Sequence, residues 1–216
     1  MNDFIIYEQP ITENVRNFLK CEYLNEKFIC ALNQHDIWSI KSSISTLIEM
    51  SDFVFRTNIK IELLKDLEKN LLFLDVLRER NTIELNIYDE FYTNIKSFIN
   101  DLNNTDSNPS KTISDNDFLM QVKSKLHIPA GDNFFDMPSY LNFLSSKRDF
   151  IIDNINNWYL PFKKISLSSI LLLDFKRTIS KFEYFSTENS FFEMKLNKSG
   201  KTDLVRIKLK KKMNVF

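Results

Sequence analysis

Cysteine, histidine and carboxylate side chains are the groups with which a protein most often binds a metal or transfers a proton. The cysteines and histidines of this chain are Cys21, Cys30, His35 and His127. Their separations do not match the short paired spacings of zinc ligands, so we expect no metal site. Neighbouring carboxylates such as Asp89 and Glu90 fall on polar helix faces, where such pairs are typical of solvated surface.

Glycine-dependent catalytic loops are also missing from the sequence. The chain of 216 residues has only two glycines, Gly131 and Gly200. A Walker loop, a dinucleotide-binding fingerprint and a nucleophile elbow each need glycines close together. The pattern therefore favours neither an enzyme nor a bound cofactor, and we predict neither.

The two cysteines and the hydropathy pattern indicate the compartment. Cys21 and Cys30 are nine residues apart in a helical pattern, which places them about 13 Å apart along the axis and on opposite faces. Because a disulfide cannot span that distance, we expect two small core residues in a reducing cytosol. The sequence begins without a basic signal-peptide region, and no apolar stretch reaches the ~18 residues of a membrane span. We therefore expect a cytoplasmic protein with no membrane insertion.

Charge is balanced over the whole chain but not along it. Lysine and arginine together number 29, and so do aspartate and glutamate. The last 22 residues nevertheless carry eight basic residues against Asp203 alone, a net charge of +7. Lysine on an edge strand can simply prevent aggregation, or the basic segment can bind an acidic partner. The sequence leaves both interpretations open.

Hydrophobic periodicity predicts four consecutive helices after a short strand at residues 3–9. Apolar residues recur at separations of three and four in each helix. The predicted helices run from about residue 12 to 32, 37 to 48, 58 to 78 and 88 to 102. Asp36 is placed to cap the second helix. Four such helices in succession indicate a bundle-like core, and the apolar stripe of the fourth could also serve a dimer.

A polar linker at residues 103–112 precedes a less regular second half. Ser114 and Asp117 form a capping pattern for the next helix. A turn-rich break follows, in which we expect Gly131 to adopt a positive φ and Pro138 to begin a helix. Further helices are predicted in the segments 140–144, 148–157 and 166–178.

The hydrophobic period changes from helical to alternating in the last 35 residues. Residues 192–196 and 205–209 alternate around a turn with Gly200, which predicts a β-hairpin with a basic outward face. The predicted fold is therefore α+β and mainly α. It has a helical bundle-like domain over residues 11–178 and a small β domain, in which residues 179–216 join the strand at 3–9.

Three sequence blocks resemble the ZapD family of cell division proteins. Residues 4–22, which begin Phe-Ile-Ile-Tyr-Glu-Gln-Pro, are similar to the family's N-terminal strand and first helix. Residues 61–68, Ile-Glu-Leu-Leu-Lys-Asp-Leu-Glu, are similar to its Glu-Leu-Leu-Lys-Glu-Leu-Glu helix. The third block consists of residues 125–131, Lys-Leu-His-Ile-Pro-Ala-Gly, and residues 135–138, Phe-Asp-Met-Pro. The blocks occur in the family's order and span most of the chain.

The resemblance implies a non-enzymatic protein that binds the C-terminal tail of FtsZ, the bacterial tubulin homologue. Proteins of this family are homodimers that hold tails from two filaments, bundle the filaments and so promote Z-ring assembly and septum formation. The implied partners are FtsZ and a second copy of the chain, with no nucleic acid, and the implied location is the division site at mid-cell. The alternative is a cytosolic adaptor that binds nucleic acid or a membrane surface through its basic C-terminal hairpin.

The resemblance also implies where the tail binds. Basic residues of the family hold the acidic groups of the tail, and the matching positions lie in or beside the three blocks and in the C-terminal hairpin. They are Arg16, Lys20, Arg56, Lys60, Lys123, Lys125 and Arg206. Arg16 and Lys20 share one face of the first helix, and a structural pair between Arg16 and Glu13 is the alternative to a binding role.

The sequence departs from the family pattern at several positions. Gln9 stands where relatives have histidine, Lys20 where they have arginine, Ala130 where they have glycine, and Leu141 where they often have histidine. Any contact made by an imidazole at position 141 is therefore lost here. We also expect the chain to end earlier than is typical of the family, which affects the binding geometry of its C-terminal end.

Overall fold

The described residues of the computed structural model are 4–34, 36–104, 108–185, 193–195 and 202–210. They form an α+β fold that is mainly α, as predicted. In chain order the elements are β1 (Phe4–Pro10), α1 (Glu13–Asn33), α2 (Ile37–Arg56), α3 (Ile59–Glu79), α4 (Leu85–Asn103), α5 (Lys111–Ser114), α6 (Asp117–Lys125), α7 (Pro138–Leu144), α8 (Arg148–Ile179) and β2 (Leu204–Lys210).

Helices α1, α3 and α4 begin and end close to the predicted positions, whereas α2 begins where predicted but extends to Arg56, beyond the predicted end at residue 48. The backbone N–H of Val15 donates to the Thr12 hydroxyl at 3.4 Å, which caps α1. Asp36 caps α2 as expected, because its carboxylate accepts hydrogen bonds from the N–H groups of Trp38 (2.9 Å) and Ser39 (3.0 Å). A side-chain cap thus fixes the start of α1 and that of α2.

The prediction that Ser114 caps the helix after the linker was wrong. Ser114 is the last residue of the single-turn helix α5, and Asn116 is the cap of α6. The Asn116 side chain accepts a hydrogen bond from the backbone N–H of Leu119 at 3.0 Å. Asparagine, like serine, supplies a side-chain oxygen that can cap a helix, so the predicted cap lay two residues too early in the sequence.

The prediction of a positive φ at Gly131 was also wrong. The left-handed residue of this loop is its neighbour Ala130, with φ of 53°. Glycine is required at 131 because of close approach: a Cβ there would lie 2.5 Å from the carbonyl oxygen of Lys125 and 2.8 Å from Cβ of Ile128. The small residue therefore lets the loop pack against the end of α6.

The segments 148–157 and 166–178, predicted as separate helices, belong to the single 32-residue helix α8. Pro161 lies inside it, where a proline removes one backbone hydrogen bond. The neighbouring side chains of Tyr159 and Phe162 are buried in the core. Tertiary packing on both sides of the proline keeps the helix continuous, since most helix stability in proteins comes from such packing.

Two hydrophobic clusters share α1 and α8. One cluster joins the second half of α1 and the first half of α8 to α2, α5, α6 and α7. The other joins the first half of α1 and the second half of α8 to α3 and α4. Phe53 and Val54 of α2 pack against both clusters. The end of α2 is therefore fixed at the junction where α1, α2 and α3 meet.

The two strands pair with each other in antiparallel orientation. Phe4 lies opposite Lys210 and Pro10 lies opposite Leu204. Within the described residues the partner of β2 is therefore β1, and residues 193–195 have no regular secondary structure. The rest of the predicted first hairpin strand, and its turn with Gly200, lie outside the described residues. The domain boundaries stay a prediction.

An ion-pair cluster fastens this sheet to the helices. Arg177 of α8 donates two hydrogen bonds to Glu8 of β1 (2.9 and 2.7 Å) and two to Glu22 of α1 (both 2.6 Å). Arg206 of β2 also pairs with Glu8, at 3.0 Å. The hydrogen bonds from Arg177 are the main reason that the pKa of Glu8 lies below its ordinary value. We call these four residues the Arg177 cluster.

Candidate functional site

A groove of about 650 Å³ opens between α1, the second half of α2 and the start of α3. Its volume lies within the ~300–1,000 Å³ that is usual for ligand sites. We call it the α1–α3 groove, and its lining residues are Glu13, Asn17, Lys20, Glu49, Asp52, Phe53, Arg56, Thr57, Asn58 and Glu62.

Helical periodicity explains why polar side chains line this groove. Glu13, Asn17 and Lys20 follow one another at separations of four and three, so they share one face of α1. The buried residues Phe18 and Cys21 lie next to that face and anchor the helix in the core. The lining residues of α2 have the same spacing, which places a second polar face across the groove from the first.

Three of the four carboxylates in the groove have a cationic partner from the protein itself. The pairs are Arg16 with Glu13 (3.3 Å), Lys27 with Glu49 (2.8 Å) and Lys123 with Asp52. The last two pairs cross between helices, whereas the first is local to α1. These cations balance much of the negative charge that the groove would otherwise present.

Lys20 and Arg56 are the two cations that line the groove. Both side chains are exposed, and within the described ranges neither has a carboxylate oxygen within 4.0 Å. The Lys20 ammonium lies 5.9 Å from the ring centroid of Phe53, which is itself half-buried between the helices. Two open positive charges beside an aromatic ring can bind a segment that carries a carboxylate and an apolar side chain.

Glu62 is the fourth carboxylate of the groove, and its role differs from that of the other three. The amide of Asn17, only 4% exposed, donates to Oε2 of Glu62 at 3.3 Å. Among the described residues, Glu62 has no ion pair. The groove therefore presents unpaired charges of both signs.

The structure brings four of the seven predicted basic residues to this groove. Lys20 and Arg56 line it, and Arg16 and Lys123 lie at its rim through their pairs with lining carboxylates. The Arg16–Glu13 pair is the structural alternative that the sequence left open. Glu13 contacts only the Nε edge of an exposed guanidinium, so Arg16 keeps access to solvent.

The other three predicted residues are not among the lining residues. Lys60 lies in the first turn of α3 and is half-buried, and Lys125 is the last residue of α6. Arg206 belongs to the Arg177 cluster, where it pairs with Glu8 and donates to the carbonyl oxygen of Arg177 at 3.1 Å. This geometry favours a structural role for Arg206, and its predicted role in binding stays a prediction.

Sequence reasoning missed the aromatic and acidic part of the lining. Asn17 and Glu62 lie within the blocks 4–22 and 61–68, but the resemblance gave a binding role only to basic residues, and Phe53 lies outside the three blocks. Their common signal is position, because each lies at the border between the buried stripe and the exposed face of its helix. Border positions on three helices that meet at one point could have identified the groove.

The two cysteines are not among the residues that line this groove. Burial raises the pKa of Cys21 to about 11, so this thiol is inert, as expected of a core residue. The prediction for Cys30 was wrong, because its side chain is exposed. Within the described residues no group of three or more histidine, cysteine or carboxylate side chains is arranged to hold a metal ion.

A known protein family matches this chain. None of the helices in the described residues is long and apolar enough to cross a membrane. A family model, ZapD, described as a cell division protein, matches residues 19–216. The match includes the groove from Lys20 onwards.

Proposed function

The chain belongs to the ZapD family of cell division proteins, and on this basis we propose that it binds the C-terminal tail of FtsZ and bundles FtsZ filaments. It would act as a non-enzymatic factor in the cytoplasm at mid-cell, where bundling promotes Z-ring assembly and septum formation. The binding site in this proposal is the α1–α3 groove.

The observation that supports this site is the pair of open cations, Lys20 and Arg56, in a groove that Phe53 also lines, with Lys20 beside its ring. A tail segment with acidic and apolar residues would place a carboxylate on the two cations. The planar guanidinium of Arg56 can bind a carboxylate with two parallel hydrogen bonds, which fixes its orientation. An apolar side chain of the segment would then cover Phe53.

Such a contact is weak, and weak single contacts keep bundling reversible. An exposed ion pair contributes only about 0.2–1 kcal/mol, so a single tail would exchange rapidly. A homodimer carries the groove twice, and a filament presents many tails. Linked binding of this kind raises the overall affinity by roughly 10²–10⁴ over that of one site, while each contact stays reversible.

Co-sedimentation with FtsZ filaments tests the proposal. We expect the unmodified protein to pellet with the filaments and to bundle them. Arg56→Glu should abolish both effects, because it places a negative charge where the acidic tail binds. The matched control is Arg80→Glu, which makes the same charge change at an exposed position at the far end of α3, outside the groove.

The control should bundle like the unmodified protein. Filaments of FtsZ without its C-terminal tail should recruit neither protein. If Arg56→Glu and Arg80→Glu bundle filaments equally well, the groove does not bind the tail. If the unmodified protein fails to pellet with intact filaments, the proposed function is wrong.

A further inference from the structure

We infer that the α1–α3 groove recognises charges of both signs, and that Glu62 binds a lysine or arginine of the same segment whose carboxylate contacts Lys20 and Arg56. The inference rests on the proposed function and adds the chemistry of the partner. The bound segment must carry a cation, a carboxylate and an apolar residue.

The pairing of charges inside the groove leads to this conclusion. Glu13, Glu49 and Asp52 each have a cationic partner on the protein, so their charges are already balanced. Among the described lining residues, the charges without an ion pair are Lys20, Arg56 and Glu62. A ligand that carried only negative charge would match two of these three groups and would be repelled by the third.

The environment of Glu62 positions its carboxylate for a ligand. Glu62 lies in the first turn of α3 and is half-buried. Its Oε2 accepts the hydrogen bond from the buried amide of Asn17, which fixes the side chain against the wall formed by α1. Oε1 has no hydrogen-bond partner among the described residues, and the Glu62 side chain borders the groove. A carboxylate held in this way is preorganised to accept a charge-assisted hydrogen bond.

A groove of mixed charge also selects against the wrong partners. A row of phosphates on nucleic acid would meet the unpaired carboxylate of Glu62 beside the two cations, and such a like-charge contact disfavours binding. A short peptide with both signs of charge can match each group in turn. Glu62 therefore contributes specificity, because it rejects polyanions that Lys20 and Arg56 alone would attract.

Binding of a fluorescent FtsZ tail peptide to the 216-residue protein tests this inference. We expect Glu62→Lys to weaken binding about three- to tenfold, because an attraction between partly exposed charges becomes a repulsion. Glu68→Lys is the matched control, since it makes the same charge change on the same helix at an exposed residue outside the groove. Glu62→Gln removes the charge and keeps an oxygen that can accept the bond from Asn17, so it should weaken binding less than Glu62→Lys.

A second peptide, in which the basic residues of the tail are replaced by glutamate, completes the test. We expect Glu62→Lys to bind this peptide more tightly than the unmodified protein does. Equal affinities of Glu62→Lys and Glu68→Lys for the original tail would overturn the inference and leave the proposed function standing. Failure of the unmodified protein to bind the original tail would overturn both. Thermal unfolding of each variant shows whether a loss of binding reflects a loss of fold. If Glu62→Lys does not fold, weaker binding of the original tail by Glu62→Gln than by the unmodified protein supports the inference, and equal binding contradicts it.

Discussion

Arg177 is the side chain whose removal we expect to destabilise the protein most. It holds carboxylates of β1 and α1 together with four hydrogen bonds, and it is largely buried. Replacing it leaves Glu8 and Glu22 close together without their shared cation. We predict that Arg177→Met lowers the free energy of unfolding by roughly 2–4 kcal/mol, which urea denaturation measures.

The control for this prediction is Lys164→Met, on the same helix. Lys164 pairs with Asp101 at 3.2 Å, but both side chains are substantially exposed. Its loss should therefore cost no more than about 1 kcal/mol. Equal effects of the two substitutions would contradict a stabilising role for the Arg177 cluster.

The same cluster makes stability depend on pH. Hydrogen bonds from Arg177 lower the pKa of Glu8 in the folded protein below its ordinary value of 4.5. The stabilisation is therefore complete above the unfolded pKa and is lost as pH falls through the folded pKa. We predict that the urea midpoint falls between about pH 5 and pH 3, and that it falls less in Arg177→Met. A parallel decline in both proteins would show that other carboxylates, such as Asp36, cause it.

At the scale of elements, two neighbouring substitutions in the loop before α7 are expected to have different effects on stability. Gly131→Ala places a Cβ against the Lys125 carbonyl, so we expect a loss of about 1–3 kcal/mol in the free energy of unfolding. Ala130→Gly removes the strain of a positive φ, which offsets the entropy cost of glycine, so stability should change by no more than about 1 kcal/mol. A large loss in Ala130→Gly, with none in Gly131→Ala, would contradict the geometry of this loop.

The elements differ in how far sequence predicts them. Helices α1 to α4 follow from apolar residues at separations of three and four, because that period is a local property of the chain. The continuity of α8 through Pro161 does not, since it depends on core packing that no local pattern records. The placement of β1 and β2 in one small β domain was predicted, but their antiparallel register was not, because it joins opposite ends of the sequence.

The ion pairs of the candidate site also divide into those that the sequence can indicate and those that it cannot. The Arg16–Glu13 pair could be named as an alternative to a binding role because its residues are three apart on one helix. The pairs Lys27–Glu49 and Lys123–Asp52 join different helices, so the sequence could not indicate which groove charges stay unpaired. The sequence could indicate which basic residues were candidates. The structure was needed to show that Lys20 and Arg56 line the groove, whereas Arg206 pairs with Glu8.

At the scale of the whole molecule, bundling requires two copies of the groove in one particle. We predict a homodimer, because two-fold symmetry doubles the site without any further element. Sedimentation equilibrium at micromolar concentration should give a mass twice the 25.7 kDa of the chain. A single species of 25.7 kDa would contradict the crosslinking mechanism, although one groove could still bind one tail.

The position of the tail on the protein is the most direct test of the account. Amide chemical shifts of the isotopically labelled protein, followed during titration with the FtsZ tail peptide, report this position residue by residue. We predict that the largest changes occur along the α1–α3 groove, at Lys20, Phe53, Arg56 and Glu62, with little change in β2. Changes confined to β2, from Leu204 to Lys210, with the groove unaffected, would contradict the account and favour binding through the basic C-terminal strand.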